Sequence, residues 1–196
     1  MGPKEEWAGE FGNAYTARNQ VDWVARTHFW KRILDRAPAR SIFEVGCNAG
    51  WNLSAIKRVA PWANPCGIDI NYTALRRARH AGLDVQGGDI HSLFTNGDVK
   101  ESKELVFTAG VLIHLPQPEL DATMRAIVDL SCRWVLAIEY WSEAHEEVNY
   151  RGMDGMLWKR PFGKMYQALG LTMLASGGAP KKEGFDDCTW WLLEKP

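Results

Sequence analysis

Between residues 41 and 140, short apolar and β-branched runs alternate with segments whose apolar positions recur every three to four residues. This alternation restricts the fold more than any other feature. Strands separated by helical crossovers pair in parallel, and a parallel sheet is covered by helices on both faces. Strands are predicted at 41–47, 66–70, 83–86, 104–109 and 134–140, the last apolar almost throughout, as for a strand buried on both faces. The helices between them carry their own punctuation. Pro38 stops a helix over 20–37 that places Trp23, Trp30, Ile33, Leu34 and Ala37 on one face. Pro61 ends a helix over 49–60, Asn71 suits the N-cap of the next, and Gly82 suits its left-handed C-terminal position. Pro118 stands near the first turn of a helix with Leu120, Met124, Ile127 and Val128 at i, i+4, i+7 and i+8.

After residue 140 the alternation breaks. Residues 141–160 are polar and aromatic without a period and read as an insertion over the sheet. A helix over 161–169 ends at Gly170, and strands over 171–175 and 189–194 follow, linked through the turn-rich Gly177-Gly178-Ala179-Pro180. With no helix between them, these two strands form an antiparallel hairpin. The expected architecture is α/β: a mainly parallel seven-stranded sheet with an antiparallel edge hairpin, helices on both faces, in one domain over 1–196.

Composition removes several function classes. A net charge of -1 and a pI near 6.5 lack the basic footprint of a nucleic-acid binder. The run Arg76-Arg77-x-Arg79-His80 reads as a solvated helix face. The longest apolar runs, such as 105–113, fall far short of the ~18 residues of a membrane span. The opening Met-Gly-Pro-Lys-Glu-Glu lacks a secretory pattern, and Glu6 stands where a myristoylation motif wants Ser or Thr. A cytoplasmic protein without membrane or nucleic-acid partners is expected, and the sequence carries no signal for its oligomeric state. Cys47, Cys66, Cys132 and Cys188 form no CxxC pair and lack histidines at zinc spacing, so no metal and no disulfide framework is expected, and the thiols read as buried hydrophobes beside strands. Ten tryptophans imply an aromatic core that also furnishes pocket walls.

The strongest constellation is Glu44-Val45-Gly46-Cys47-Asn48-Ala49-Gly50, at the junction of the first strand and its helix. Open α/β sheets bind ligands beyond the carboxyl ends of their strands. Gly46 and Gly50 let backbone approach a ligand closely and tolerate unusual dihedrals. Asp69 ends the second strand, where a carboxylate accepts hydrogen bonds from a ribose diol. The G-x-G-x-x-G of dinucleotide-binding folds is absent, which disfavours a nicotinamide-dependent oxidoreductase.

With these residues in place, the sequence resembles the class I S-adenosylmethionine-dependent methyltransferases, a Rossmann-like sandwich. The segment 44–50 is similar to that family's first motif, with Asn48 where many members carry Gly, Asp69 followed by Ile70 to its ribose-binding acid, and Gly88-Asp89-Ile90 to its adenine-contacting motif. A narrower resemblance is carried by Phe11-Gly12-x-x-Tyr15-x-x-Arg18-Asn19, Gly110-Val111-Leu112-Ile113-His114, Glu139-Tyr140, Tyr150-Arg151-Gly152, Lys159-Arg160 and the closing Asp186-Asp187-x-Thr189-Trp190-Trp191-Leu192-Leu193-Glu194-Lys195. Together these are similar to the methylases associated with pseudaminic acid biosynthesis, members of which share the departure at Asn48. The resemblance implies S-adenosyl-L-methionine as cofactor. It implies a segment 1–38 that closes over the cofactor, with Tyr15 against it and Arg18 facing the methionine carboxylate, and Gly110 beside it after the fourth strand.

His114 is the ionisable residue of Gly110-Val111-Leu112-Ile113-His114-Leu115-Pro116 and reads either as a general base or orienting group for an acceptor, or as a capping histidine. Glu139 ends a buried strand, where an unpaired carboxylate is costly, so a cation or an acceptor amine is expected beside it. Arg151 and Arg160 are the candidate partners, or grips for an acidic substrate group. Tyr140, Trp141 and Tyr150 would wall an acceptor pocket under 141–160 or simply cover the sheet edge. The reading that follows is methyl transfer to O or N of a small polar metabolite, a sugar, amino-sugar or amino-acid-like acceptor. The alternatives are a protein or RNA methyltransferase, and a cofactor-binding scaffold without catalysis.

Overall fold

The computed structural model describes residues 2–95 and 101–196. Of the expected N-terminal segment 1–38, Met1 lies outside the described residues. Two short helices open the chain, α1 (Pro3–Ala8) and α2 (Glu10–Arg18), followed by α3 (Arg26–Leu34). The sheet then alternates with helices: β1 (Ser41–Val45), α4 (Trp51–Val59), β2 (Asn64–Asp69), α5 (Tyr72–His80), β3 (Asp84–Gly87), α6 (Ile90–Thr95), β4 (Lys103–Ala109), α7 (Gln117–Leu130) and β5 (Ser131–Glu139). A two-residue ribbon, β6 (Glu146–Glu147) and β7 (Trp158–Lys159), precedes α8 (Phe162–Ala168), β8 (Thr172–Ala179) and β9 (Cys188–Glu194). The main sheet has seven strands in the order β3-β2-β1-β4-β5-β9-β8. Every pairing from β3 to β5 is parallel, and β9 is antiparallel to both β5 and β8.

This is the expected α/β architecture, and its local signals act where they were read. Asn71 caps α5 by accepting a 2.9 Å bond from the Ala74 amide, and Gly82 takes the left-handed φ of 74° beyond it. The apolar stripe of α7 buries Leu120, Met124 and Ile127. One face of the sheet is covered by a cluster that includes Phe29, Trp30, Ile33 and Leu53, the other by one that includes Met124, Ile127, Phe162 and Tyr166. Among the described residues no helix is long and apolar enough to cross a membrane.

Four local expectations change. The helix over 20–37 begins only at Arg26, because Trp23, Val24 and Ala25 form a turn. The stretch 10–18, outside the expected helices, is itself α2. The Gly177-Gly178-Ala179 stretch continues β8, because pairing with Trp190, Thr189 and Cys188 outweighs the turn preference of glycine. Cys132 is exposed and Cys66 half-buried, while Cys47 and Cys188 are buried as expected.

Candidate active site

The carboxyl ends of β1, β2 and β4 meet at one edge of the sheet, and their loops are tied together by backbone. The Gly46 and Cys47 amides both donate to Ile68 O, at 2.8 and 2.9 Å, which pins the β1 loop to β2. Gly46, Asn48 and Gly50 take φ of 74°, 46° and 77°, so the loop folds back in three left-handed steps. A Cβ on Gly46 would stand 2.4 Å from Val111 Cγ2, and glycine there lets the β1 and β4 loops touch. At β2's end, the Asp69 carboxylate accepts from the Asn48 amide and the Asn71 amide, both at 2.7 Å. Burial pushes this carboxyl up, and the amides of Asn71, Asn48 and Ile70 oppose the shift.

A cavity of about 710 Å³ opens beyond these loops, within the range that holds small ligands. Of the residues singled out from the sequence, Tyr15, Arg18, Glu44, Gly46, Asn48, Asp69, Ile70, Asp89, Ile90, Gly110 and His114 line it. Gly50 stands outside the wall. A Cβ there would lie 2.1 Å from Leu83 Cδ1, so this glycine serves packing.

One end of the cavity is charged in a way the sequence did not announce. Arg26 Nη1 donates to Asn52 Oδ1 at 2.8 Å, and Asn52 Nδ2 donates to Glu44 Oε1 at 2.6 Å. Trp30 Nε1, 3.2 Å from the same Asn52 oxygen, fixes the amide's orientation. Arg26 also donates to Gly184 O through Nε and Nη2 and stacks over Phe185 at 4.4 Å. Burial pushes the Glu44 carboxyl up to about 8 despite the Asn52 bond. Among the described residues its Oε2 is buried without a hydrogen-bond partner. Arg26, Glu44, Asn52 and Asp186 all line this end. Arg26 was hidden in a helix read for its apolar stripe, and Asn52 looked like an ordinary helix position.

Helices α1 and α2 form the roof. Lys4 forms an ion pair with Asp89. Burial alone would raise the Asp89 carboxyl, but Lys4 and the Ser92 amide outweigh it and hold it below the usual range. Asn71 Nδ2 donates to Trp7 O and Asn13 Oδ1, each at 3.1 Å, and buried Thr16 donates to Asn48 Oδ1 at 3.3 Å. Arg18 is exposed and lies over the Phe11 and Tyr15 rings at 5.6 and 5.5 Å.

His114 sits on a single 3-10 turn, Leu112–His114, just after β4. Its Nδ1 is 2.6 Å from Met156 O. A carbonyl only accepts, so Nδ1 carries the proton and Nε2 keeps a lone pair. Desolvation pushes the imidazole down to about 4 against that bond, leaving an uncharged ring at neutral pH. Trp7 packs on it at 4.4 Å and Tyr150 at 5.4 Å.

The residues expected around the acceptor are dispersed. Glu139 is fully buried, but neither arginine is its partner: Oε1 accepts from the Val111 amide at 3.2 Å and Oε2 from the Ile113 amide at 3.4 Å. Backbone donors thus take the place of the expected cation. Arg160, also buried, donates to His145 Nδ1 and Leu112 O. Exposed Arg151 lies over the Tyr150 ring at 5.9 Å, and Trp141 is 50% exposed. Tyr140 is half-buried against both faces of the core. None of Glu139, Tyr140, Trp141, Tyr150, Arg151 and Arg160 is among the residues lining the cavity.

No family model and no curated protein matches the sequence. Solved structures do match in fold. Magnesium protoporphyrin IX methyltransferase from Synechocystis PCC 6803, with bound SAM, is 12% identical with a TM-score of 0.71 over 100% of this chain and 98% of its own. The 1,6-didemethyltoxoflavin-N1-methyltransferase of Burkholderia thailandensis, with its substrate and S-adenosylhomocysteine bound, is 11% identical with a TM-score of 0.72 over 98% and 86%. Mitomycin 7-O-methyltransferase is 13% identical with a TM-score of 0.74 over 100% of this chain and 61% of its own. The chain thus shares the Rossmann-like fold of these methyltransferases, and at such identities the likeness is one of fold.

Proposed function

We propose that this chain is an S-adenosyl-L-methionine-dependent methyltransferase acting on O or N of a small polar metabolite, of the sugar, amino-sugar or amino-acid-like class that the resemblance to pseudaminic acid-associated methylases implies. One observation carries this reading: the polar groups along the cavity follow the order of the cofactor's parts. At one end, buried Arg26 and Glu44 offer a guanidinium and an unpartnered Oε2, a pair suited to the carboxylate and ammonium of an amino acid. In the middle, Asp69 suits a ribose diol. At the far end, Asp89 and Ile90 suit an adenine's amine and face. Gly46 adds close backbone approach where a side chain would collide with Val111. On this reading Arg26 takes the carboxylate role expected of Arg18. The bound cofactor supplies a methyl group on a positively charged sulfur.

The chain's own residues do the rest. His114 Nε2 holds a free lone pair at the cavity wall and accepts the acceptor's proton, while the bond from Nδ1 to Met156 O holds the ring in that tautomer. Trp7, packed on His114, presents an aromatic face of the kind that attracts a sulfonium. Helices α1 and α2 act as a cover that excludes water and aligns the partners, an alignment worth ~7–11 kcal/mol of barrier. The three methyltransferases of like fold, each named for a small molecule, support the general kind of reaction. Calorimetric titration with S-adenosylhomocysteine tests the reading. Micromolar binding is expected, weakened in Asp69→Ala by about 1–3 kcal/mol through loss of a buried hydrogen-bonding carboxylate. Failure of the folded wild type to bind would overturn it.

A further inference from the structure

Two buried groups of opposite charge stand on either side of one peptide bond. Arg160, 1% exposed, points Nη1 at Leu112 O from 3.4 Å, and Glu139, 0% exposed, takes the Ile113 amide on Oε2 at 3.4 Å. The carbonyl and the N–H belong to the same peptide unit, so its oxygen end faces the guanidinium and its hydrogen end faces the carboxylate. Both contacts run with the peptide dipole. Glu139 Oε1 adds the Val111 amide two residues earlier. Among the described residues neither side chain joins a salt bridge. Neither lines the cavity, so any influence on it runs through the turn they hold.

We propose that Glu139 and Arg160 are positioning residues that clamp the Leu112–Ile113 peptide between a carboxylate and a guanidinium, and so fix the turn that aims His114 into the cavity. Each contributes a charge-assisted bond to backbone that would otherwise rely on a single 3-10 turn, a short element with poor hydrogen-bond geometry. The two charges meet through the peptide instead of directly, and among the described residues Arg160 Nη2 is buried without a partner of its own. Removing one side leaves the other charge buried and poorly compensated. The importance of the turn for proton removal rests on the methyltransferase reading; the clamp itself does not.

The clamp has a pH signature. Thr108 on β4, Tyr166 on α8 and Cys188 on β9 interact with Glu139, with Arg160 beyond the peptide, His145 accepting from Arg160 Nε at 3.2 Å, and His114 on the turn itself. Burial and the Glu139 charge push the Tyr166 hydroxyl and the Cys188 thiol up, and desolvation holds His114 down to about 4. Glu139, pushed up to about 7 by its burial, changes charge near neutrality.

NMR of protein carrying ¹⁵N-labelled histidine tests this without cofactor or acceptor, with the His114 signals identified by their loss in His114→Gln. The wild type is expected to show the Nδ1–H tautomer at His114 and a small inflection of its ring shifts near pH 7, reporting Glu139. Glu139→Gln should abolish the inflection. Arg160→Met should move it to higher pH, and Arg160→Lys, which keeps a cation, should move it back. If Glu139→Gln does not fold, the wild type and the two Arg160 variants carry the test. A purely structural role would lower thermal stability in all three variants while leaving the His114 tautomer and inflection unchanged, and would overturn the proposal. So would a wild-type His114 ring that titrates at the ordinary histidine pKa. Binding of S-adenosylhomocysteine, measured separately, decides the methyltransferase reading alone.

Discussion

The loops at the ends of β1 and β2 and the segment 141–160 both flank the cavity region, yet they are built on different principles. Around Asp69, the Asn48 and Asn71 amides converge on one carboxylate and the Ile68 carbonyl holds two more amides, all within loops whose position follows from parallel strand register. Segment 141–160 has only the two-residue strands β6 and β7, an isolated bridge between Tyr150 and Met153, and several exposed polar side chains. It is tied to the rest of the molecule side chain by side chain, through Leu157 in the core, Tyr150 against Trp7 and His114, Met156 O to His114 and Arg160 to Leu112 O. A site on strand ends inherits its geometry from the sheet, whereas an insertion must fix each side chain separately.

Paired glycine substitutions give the largest expected contrast. Gly46→Ala combines a left-handed φ, about 1–2 kcal/mol, with a collision at Val111, about 1–3 kcal/mol of overpacking. Gly152→Ala shares the positive φ, 83°, but would meet nothing within 4 Å. Chemical denaturation should therefore find the Gly46 variant the less stable of the two, with its S-adenosylhomocysteine affinity lost as well. Equal losses at both positions would break the contrast. Next in size, Arg26→Met should weaken S-adenosylhomocysteine by about 1–3 kcal/mol in calorimetry. Arg151→Met and Trp141→Ala should stay within about 0.5 kcal/mol of the wild type, as surface changes do.

Much of the first region was legible in the sequence because its signals are local. Asn71 and Gly82 each serve a geometry set by the adjoining few residues, and Gly46 and Asp69 are marked by their places at strand ends, although their partners Val111 and Asn48 come from other loops. The charged end was not legible, since Arg26, Asn52 and Glu44 come together only after α3 and α4 pack and Gly184 arrives from beyond β8. A covering segment was expected from the resemblance, but its helical form over 10–18 was not read, because α2 has little apolar periodicity and its buried residues are Gly12 and Thr16. In the insertion, the residue types were right for a binding surface, but the direction of each side chain depends on long-range packing. Glu139 shows the same limit: burial of a carboxylate was readable, but its use of backbone amides was not.

The charged end also has a pH consequence. Glu44 is pushed up to about 8 in the folded protein, so folded Glu44 keeps a proton that the unfolded chain has lost. Its contribution to stability is greatest below the ordinary glutamate range and declines as pH rises toward about 8. Glu44→Gln should flatten that part of the stability profile. An ammonium brought beside Oε2 favours the ionised form, so binding S-adenosylhomocysteine near neutral pH should release up to one proton, read from calorimetry in buffers of different ionisation enthalpy. Unchanged release in Glu44→Gln would remove Glu44 from the ammonium site. A small effect is also expected for Asn48→Gly, which accepts the φ of 46° and loses the bonds that its Oδ1 accepts from Thr16 and the Ala49 amide. A change below about 1 kcal/mol in S-adenosylhomocysteine affinity is predicted.

Hydrogen exchange measured peptide by peptide, with and without saturating S-adenosylhomocysteine, tests the central claim most directly. Slower exchange is predicted over 44–50, 69–71, 88–90 and 110–114 and in the roof helices α1 and α2, with 141–149 unchanged. Protection confined to 141–160, or none anywhere, would contradict the placement of the site at the strand ends.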